Sequence, residues 1–329
     1  MNIVNQSSRG VKRILLAKPR GFCAGVDYAI GIVEQALNLF ERPIYILKEI
    51  VHNKQIVLEL AENDARSVFS IDEVPAGSIL VFSAHGVPPQ FHQQAKARGL
   101  YVLDATCPLV RKVHLEAIRF ASQGYTILYI GHEGHDEALG VLAEATESMI
   151  LINDKEEAWK VQPKQTDKLA YLTQTTLSIA ETDEIIKILQ KRFPSIQGPA
   201  KEDICYATTN RQRAVIEMAQ QSDLVLVLGS KNSSNSQRLR ECAEKEGAKA
   251  YLIDNKDEIE LSWLKDVESI GVTAGASAPE KLVEKVIQFL RQLNPQSTLQ
   301  EIEPVKEEMF FAIPNLKKQI AEQQQEVIL

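Results

Sequence analysis

Three cysteines stand where a chain could do chemistry. Cys23 lies in Pro19-Arg20-Gly21-Phe22-Cys23-Ala24-Gly25, Cys107 in Asp104-Ala105-Thr106-Cys107-Pro108, and Cys205 directly after Ile204. Each reads as the corner where a strand hands over to a helix. Pro108 supports this, because proline suits a first helical position, where its missing N–H would have no partner. The positive end of a helix favours thiolate over thiol. Taken singly, any of the three would be small core filling; their recurrence in one setting points instead to a shared role. Converging thiolates would suit zinc or an iron–sulfur cluster. Four thiolates complete a [4Fe–4S] cluster, so three would leave one iron open as a Lewis acid. Cys242, in Arg240-Glu241-Cys242-Ala243, sits mid-helix and reads as packing.

A second set of residues lies in polar loops after apolar runs: His52, His85, His135, Glu137, Thr175, Thr176, Ser233, Ser234, Asn235 and Ser277. Histidines and short hydroxyl or amide donors at helix starts suit a phosphate or diphosphate. Ser233, Ser234 and Asn235 are equally good helix caps, and capping and anion binding use the same geometry. Glu137 reads as a proton donor if buried, or as a carboxylate favoured by a helix start. The stretch Gly131-His132-Glu133-Gly134-His135-Asp136 lacks the second histidine of H-E-x-x-H, and Lys231 lacks the glycines of a P-loop. His92 and His114 read as surface or packing residues.

The elements that must carry these residues alternate. Apolar runs at 14–17, 43–47, 78–82, 100–103, 125–130, 169–172, 224–228 and 269–272 are separated by helical patterns, which predicts parallel sheets of βαβ units. The order repeats three times. From Cys23 to His52 is 29 positions, from Cys107 to His135 is 28 and from Cys205 to Ser233 is 28. The expected fold is α/β, with three small parallel-sheet modules around a centre. Ligands in such sheets bind beyond the carboxyl ends of the strands, where the nine loops lie. The modules are expected at residues 25–107, 108–204 and 205–295 with 12–24. Residues 296–329, polar and Gln-rich, read as an exposed helical or disordered tail.

With 44% apolar and 25% charged residues in 329, the composition is that of a globular enzyme. The net charge of −7 argues against nucleic acid or an anionic membrane as main partner. No apolar run reaches the roughly 20 residues of a membrane span. Residues 1–13 lack the core of a signal peptide and are short for a transit sequence. Four cysteines do not make a disulfide scaffold, so a reducing cytoplasm is the expected compartment.

The cysteine motifs, together with Ser83-Ala84-His85-Gly86-Val87, Gln174-Thr175-Thr176-Leu177-Ser178, Gly229-Ser230-Lys231-Asn232-Ser233-Ser234-Asn235-Ser236 and Thr273-Ala274-Gly275-Ala276-Ser277, resemble those of the LytB/IspH family, the 4-hydroxy-3-methylbut-2-enyl diphosphate reductases. The resemblance covers roughly residues 12–292. It implies a trefoil of three modules around a central cavity, with the first strand joining the third module. It also implies the last step of the non-mevalonate isoprenoid pathway. There an allylic diphosphate loses its hydroxyl to two electrons and two protons, giving isopentenyl and dimethylallyl diphosphates. Cys23, Cys107 and Cys205 would hold a [4Fe–4S] cluster with one open iron. His52, His85, His135, Thr175, Thr176, Ser233, Ser234, Asn235 and Ser277 would bind substrate, and Glu137 with Thr175 would supply protons. The implied electron donor is of the ferredoxin or flavodoxin type.

The chain departs from the family pattern at Asp136, where proline is usual. A carboxylate there would perturb Glu137 or repel a diphosphate if it pointed inward. The N-terminal extension and the residues past Pro295 have no family role. Two other readings of the same residues are a zinc-dependent phosphate hydrolase built on His135 and Glu137, and a redox-sensing binding protein with a structural cluster.

Overall fold

The computed structural model describes residues 11–328, with side chains to residue 325; the N-terminal extension, residues 1–10, lies outside the described residues. In chain order the elements are β1 (Arg13–Ala17), α1 (Ala24–Leu39), β2 (Ile44–Leu47), α2 (Lys54–Glu62), β3 (Ala65–Val68), β4 (Ile79–Phe82), α3 (Pro89–Ala97) and β5 (Tyr101–Asp104). There follow α4 (Pro108–Ser122), β6 (Thr126–Ile130), α5 (Asp136–Leu142), β7 (Met149–Ile152), α6 (Lys155–Lys160), β8 (Leu169–Thr173) and α7 (Ile179–Arg192). The last are α8 (Tyr206–Ala219), β9 (Leu224–Leu228), α9 (Ser234–Lys245), β10 (Lys249–Ile253), β11 (Ser269–Ala274), α10 (Glu280–Leu293), β12 (Thr298–Ile302) and α11 (Leu316–Ile328).

The described strands form three parallel sheets, ordered β3-β2-β4-β5, β7-β6-β8 and β10-β9-β11-β1-β12. One pattern underlies all three. The strands leading to the second polar loops (β2, β6 and β9) each lie between a strand leading to a third loop (β4, β8 and β11) and an outer strand that leads to no candidate residue. Those outer strands, β3, β7 and β10, escaped the sequence reading. Beyond the third-loop strand comes the segment that carries a cysteine: β5 for Cys107 and β1 for Cys23.

Cys205 corrects the expectation that each cysteine follows a strand. Its approach, through Pro194, Gly198 and Pro199, is irregular; only Gln197 makes an isolated bridge to Ala170 of β8. Two prolines deprive the segment of ladder donors, so one bridge stands where the other sheets have a full strand.

The chain divides into two compact units. Among the described residues the first comprises 11–23, His52–Lys54 and Tyr206–Glu308, the second 24–51, 55–205 and 309–328. In the first unit the run Leu224-Val225-Leu226-Val227-Leu228 is fully buried, as expected of a parallel strand covered on both faces. Leu224, Leu226 and Leu228 face one way with Ile14, Leu16 and Val272, under Leu282, Val283, Val286 and Leu290 of α10. Val225 and Val227 face the other way with Leu15, under Ala214, Val215 and Met218 of α8 and Leu239, Cys242 and Ala243 of α9. Cys242 is therefore core, as its sequence setting indicates.

In the second unit, α4 and α5 cover one face of β6 and β8 through Val113, Ala117, Phe120, Ala138 and Val141. α6 and α7 cover the other through Ala158, Ile185 and Leu189. The β2–β5 sheet buries Leu47, Val68, Leu80 and Phe82 against Ala95 of α3.

Within residues 296–325, largely exposed and carrying the helix expected there, the chain also makes fixed contacts. β12 pairs with β1 in register from Arg13–Thr298 to Ala17–Ile302. In the second unit Ile313 packs where a Cβ on Gly31 would stand only 2.6 Å from its Cδ1, and α11 buries Leu316 and Ile320. The Gln323 amide closes the edge of β5: its Oε1 accepts from the Val102 N–H and its Nε2 donates to the Val102 carbonyl, both at 2.8 Å. A side chain here satisfies the backbone groups that a further strand would otherwise seek. Its polar composition hides this, because one edge strand and one packed helix face need few apolar residues.

Candidate active site

In the first unit, Gly229 and Gly275 shape the site. A Cβ on either would lie 2.1 Å from Ser236 Oγ, so both loops close onto this fully buried serine only because they carry glycine. Ser236 donates to Ser233 Oγ at 3.0 Å, and Ser233 caps α9 by accepting from the Ser236 N–H. Ser277 Oγ donates to the His52 carbonyl at 2.9 Å, and Asn232 Nδ2 lies 3.3 Å from His52 Nδ1. The Lys54 N–H donates to Ser230 Oγ. His52, Ser233, Asn235 and Ser277 are thus drawn onto the carboxyl ends of β9 and β11. Asn235 is 5% exposed, yet neither Oδ1 nor Nδ2 has a hydrogen-bond partner. A buried amide left bare is costly unless a ligand completes it.

In the second unit the candidate acid is Glu137, 2% exposed in the first turn of α5. The Thr175 N–H donates to its Oε1 at 2.7 Å and Thr175 Oγ1 donates to its Oε2 at 2.9 Å. Burial pushes its pKa up to about 7, against the two Thr175 hydrogen bonds, which favour the anion; the nearby Asp203 charge adds to the rise. The Asp136 carboxylate forms an ion pair with Lys48, which neutralises the charge at the position where the family pattern has proline.

His135 caps α5, its Nδ1 accepting from the Glu137 N–H at 3.2 Å. That bond assigns the proton of the neutral ring to Nε2. The His85 ring stands edge-on to it with centroids 6.0 Å apart, and His85 Nδ1 lies 3.3 Å from Ser83 Oγ. Thr176 Oγ1 accepts from Gln174 Nε2, and Gln174 Oε1 accepts from the His132 N–H. Ser234, the first residue of α9, follows the cap.

Each of the three cysteines makes the same kind of backbone bond within its own unit. The Cys23 N–H donates to Ala276 O at 3.3 Å, the Cys107 N–H to Ala84 O at 3.0 Å and the Cys205 N–H to Thr175 O at 3.1 Å. Each acceptor directly precedes a candidate residue, Ser277, His85 or Thr176. Every cysteine is therefore anchored to the third polar loop of its own sheet, and the helix that follows leaves that sheet. α1, after Cys23, packs on β2; α4, after Cys107, on β6 and β8; α8, after Cys205, on β1. All three cysteines are part-exposed, and no disulfide joins them. Part-exposed thiols at helix starts have the donor chemistry that iron–sulfur clusters take.

Several supporting residues carried no sequence signal. Asp203 accepts from the Thr173 N–H and from Lys112 Nζ, both at 2.9 Å, and burial pushes its pKa to about 6. His114 is buried, with Nδ1 2.7 Å from Glu144 Oε1. Cβ atoms on Gly86 and Gly140 would stand 2.6 and 3.1 Å from its ring, so His114 supports both the His85 loop and α5. A helical histidine at this spacing gave no sign of that, because both contacts come from distant segments.

The sequence profile of the family described as LytB protein matches residues 14–291. The 4-hydroxy-3-methylbut-2-enyl diphosphate reductase of Shewanella pealeana is 50% identical, covering 92% of this chain and 98% of its own. The reductase of the same name from Serratia proteamaculans is 51% identical, covering 92% of this chain and 96% of its own. Among solved structures, the E-1-hydroxy-2-methyl-but-2-enyl-4-diphosphate reductase of Plasmodium falciparum superposes with a TM-score of 0.91 at 35% identity, covering 96% of this chain and 99% of that one. A second, described as the terminal enzyme of the non-mevalonate pathway, gives 0.62 at 28% identity, covering 86% and 100%. With its fold, its motifs and almost its whole length matched in this way, the chain belongs to the LytB family.

Proposed function

We propose that the protein reduces 4-hydroxy-3-methylbut-2-enyl diphosphate: two electrons and two protons enter, the allylic C–O bond breaks, and isopentenyl or dimethylallyl diphosphate leaves with water. The observation that carries this reading is the shared N–H bond that ties each cysteine to the carbonyl before a candidate ligand-binding residue. Cys23, Cys107 and Cys205 hold a [4Fe–4S] cluster in this proposal. When bound, that group supplies the electrons and one iron without a cysteine.

The chain's own residues do the rest. His52, His85 and His135, with Ser233, Ser234, Asn235, Thr176 and Ser277, form the donor set for the diphosphate. His135 offers its Nε2–H because Nδ1 is spent on the helix cap, and the Asn235 amide gains the partners it lacks. Glu137 is the proton source. Its burial keeps about half the carboxyl protonated near pH 7, the condition an acid at that pH requires. Thr175 orients it through both carboxyl oxygens.

Electrons come from a one-electron carrier of the ferredoxin or flavodoxin type. No helix among the described residues is long and apolar enough to cross a membrane, and cysteines without disulfides suit a reducing cytoplasm. The test is anaerobic purification with iron, sulfide and zinc analysis, followed by turnover of the diphosphate with a reduced viologen. Iron and sulfide with formation of both isoprenyl diphosphates are expected; zinc alone, or iron without turnover, refutes the reading.

A further inference from the structure

Arg211 has no part in the chemistry proposed above, yet its side chain is completely buried. Its Nε and Nη2 both donate to the Gly21 carbonyl, at 3.1 and 2.8 Å, and Nη2 also donates to the Phe22 carbonyl at 3.2 Å. Nη1 donates to the Ala207 carbonyl at 3.1 Å and to Glu307 Oε1 and Oε2 at 2.9 and 3.2 Å. The two loop carbonyls belong to the residues just before Cys23. Ala207 is in the first turn of α8, which begins one residue after Cys205. Glu307 lies in the segment after β12, which sequence reasoning left without a role.

The loop from Lys18 to Cys23 has no regular structure of its own. Its N–H groups are tied on one side, Gly21 to the Ala274 carbonyl and Cys23 to the Ala276 carbonyl. Its carbonyls turn to Arg211. Gly21 has φ +67°, and a Cβ there would stand 3.2 Å from the Ala278 carbonyl, so the loop is confined on that side as well. A guanidinium presents its donors in one planar fork and can hold two successive carbonyls in a single geometry. Burying that cation is strongly unfavourable unless it is paired and hydrogen-bonded, and Glu307 supplies the opposite charge.

We propose that Arg211 is a positioning residue for the iron–sulfur centre: it fixes the backbone that presents the Cys23 sulfur, and Glu307 completes the clamp and neutralises its charge. The inference rests on Cys23 being a cluster ligand. Groups behind a metal ligand orient it and tune the metal, and their loss commonly weakens metal binding 10–100-fold.

The test uses the full chain purified anaerobically, with three variants. Arg211→Lys keeps the charge but not the fork. It should assemble a cluster that loses iron in air about tenfold faster than the parent, with an altered electron paramagnetic resonance spectrum when reduced. Glu307→Gln keeps the carbonyl contacts and leaves a cation uncompensated. It should melt below the parent, as Leu290→Ala does, and in addition shift the reduction equilibrium about tenfold toward the reduced cluster, about 59 mV for one electron. Leu290→Ala, a core truncation in the same unit, should lower the melting temperature and change neither readout.

Parent-like air lifetime, spectrum and potential in both clamp variants would overturn the proposal. So would a Leu290→Ala lifetime as short as that of Arg211→Lys, since any destabilisation would then suffice. If Arg211→Lys does not fold, the potential of Glu307→Gln decides alone. Full iron and sulfide in Cys23→Ser would refute the ligand assignment instead, a result distinguishable from failure of the clamp.

Discussion

Replacing Glu137 with Gln tests the acid at the level of its proton. Burial raises this carboxyl from 4.5 to about 7. At pH 7 about half of it is protonated, against about 0.3% for an ordinary glutamate, a roughly 150-fold larger pool of acid. Turnover limited by that proton should be flat below about pH 6 and fall about tenfold per unit above about pH 8. The same shift has a stability consequence. A carboxyl whose folded pKa is raised binds its proton more tightly when folded, so its contribution is complete below pH 4.5 and is lost as pH rises through 7. At 1.36 kcal/mol per unit, that loss is about 3 kcal/mol for this group.

Glu137→Gln should therefore abolish turnover, retain the cluster, and lack this part of the decline in urea stability between pH 4.5 and 7. Asp203, raised from 3.8 to about 6 by its own burial, remains in the variant and contributes over its lower window. Infrared difference spectra separate the two: the carboxylic C=O band titrating near pH 7 should vanish in the variant, and the Asp203 band should stay. A Glu137 band titrating between pH 4 and 5, or near-normal turnover of the variant, would sink the reasoning.

Other outcomes are expected of single changes. Cys107→Ser should lose the cluster, and full iron and sulfide content in that protein would refute ligation by Cys107. Asn235→Leu removes a buried amide that has no partners. The apo-protein should be as stable as the parent or about 1 kcal/mol more so, while KM for the diphosphate rises at least about tenfold with kcat less affected; unchanged KM removes Asn235 from the substrate site. Gly86→Ala forces a residue with φ +78° to carry a Cβ 2.6 Å from the His114 ring. It should cost about 1–3 kcal/mol in urea unfolding, part of which His114→Ala should return in the double variant. Asp136→Asn breaks the pair with Lys48 but should leave the pH dependence of turnover in place, because the charge it removes is already offset by that lysine.

The apolar runs and polar loops were enough to establish parallel α/β architecture, the repeated order of elements, and the cysteines and donor residues as candidates. The reason is local: strand interiors covered on both faces must be apolar, and the loops beyond their carboxyl ends are where polar residues with special spacing accumulate. Tertiary structure decided what local pattern cannot carry. It set Glu137 against Thr175 in a dry environment and so raised its pKa, and it gave Asp136 a partner in Lys48. It turned a polar stretch near the C-terminus into a paired strand and a helix that closes the edge of β5. It put a single bridge where a strand was expected before Cys205. It also buried Arg211 behind the Cys23 loop, with Glu307 from nearly one hundred positions further along the chain. Charge pairing, desolvation and edge closure join residues distant in the chain, and a pattern of neighbours holds no record of them.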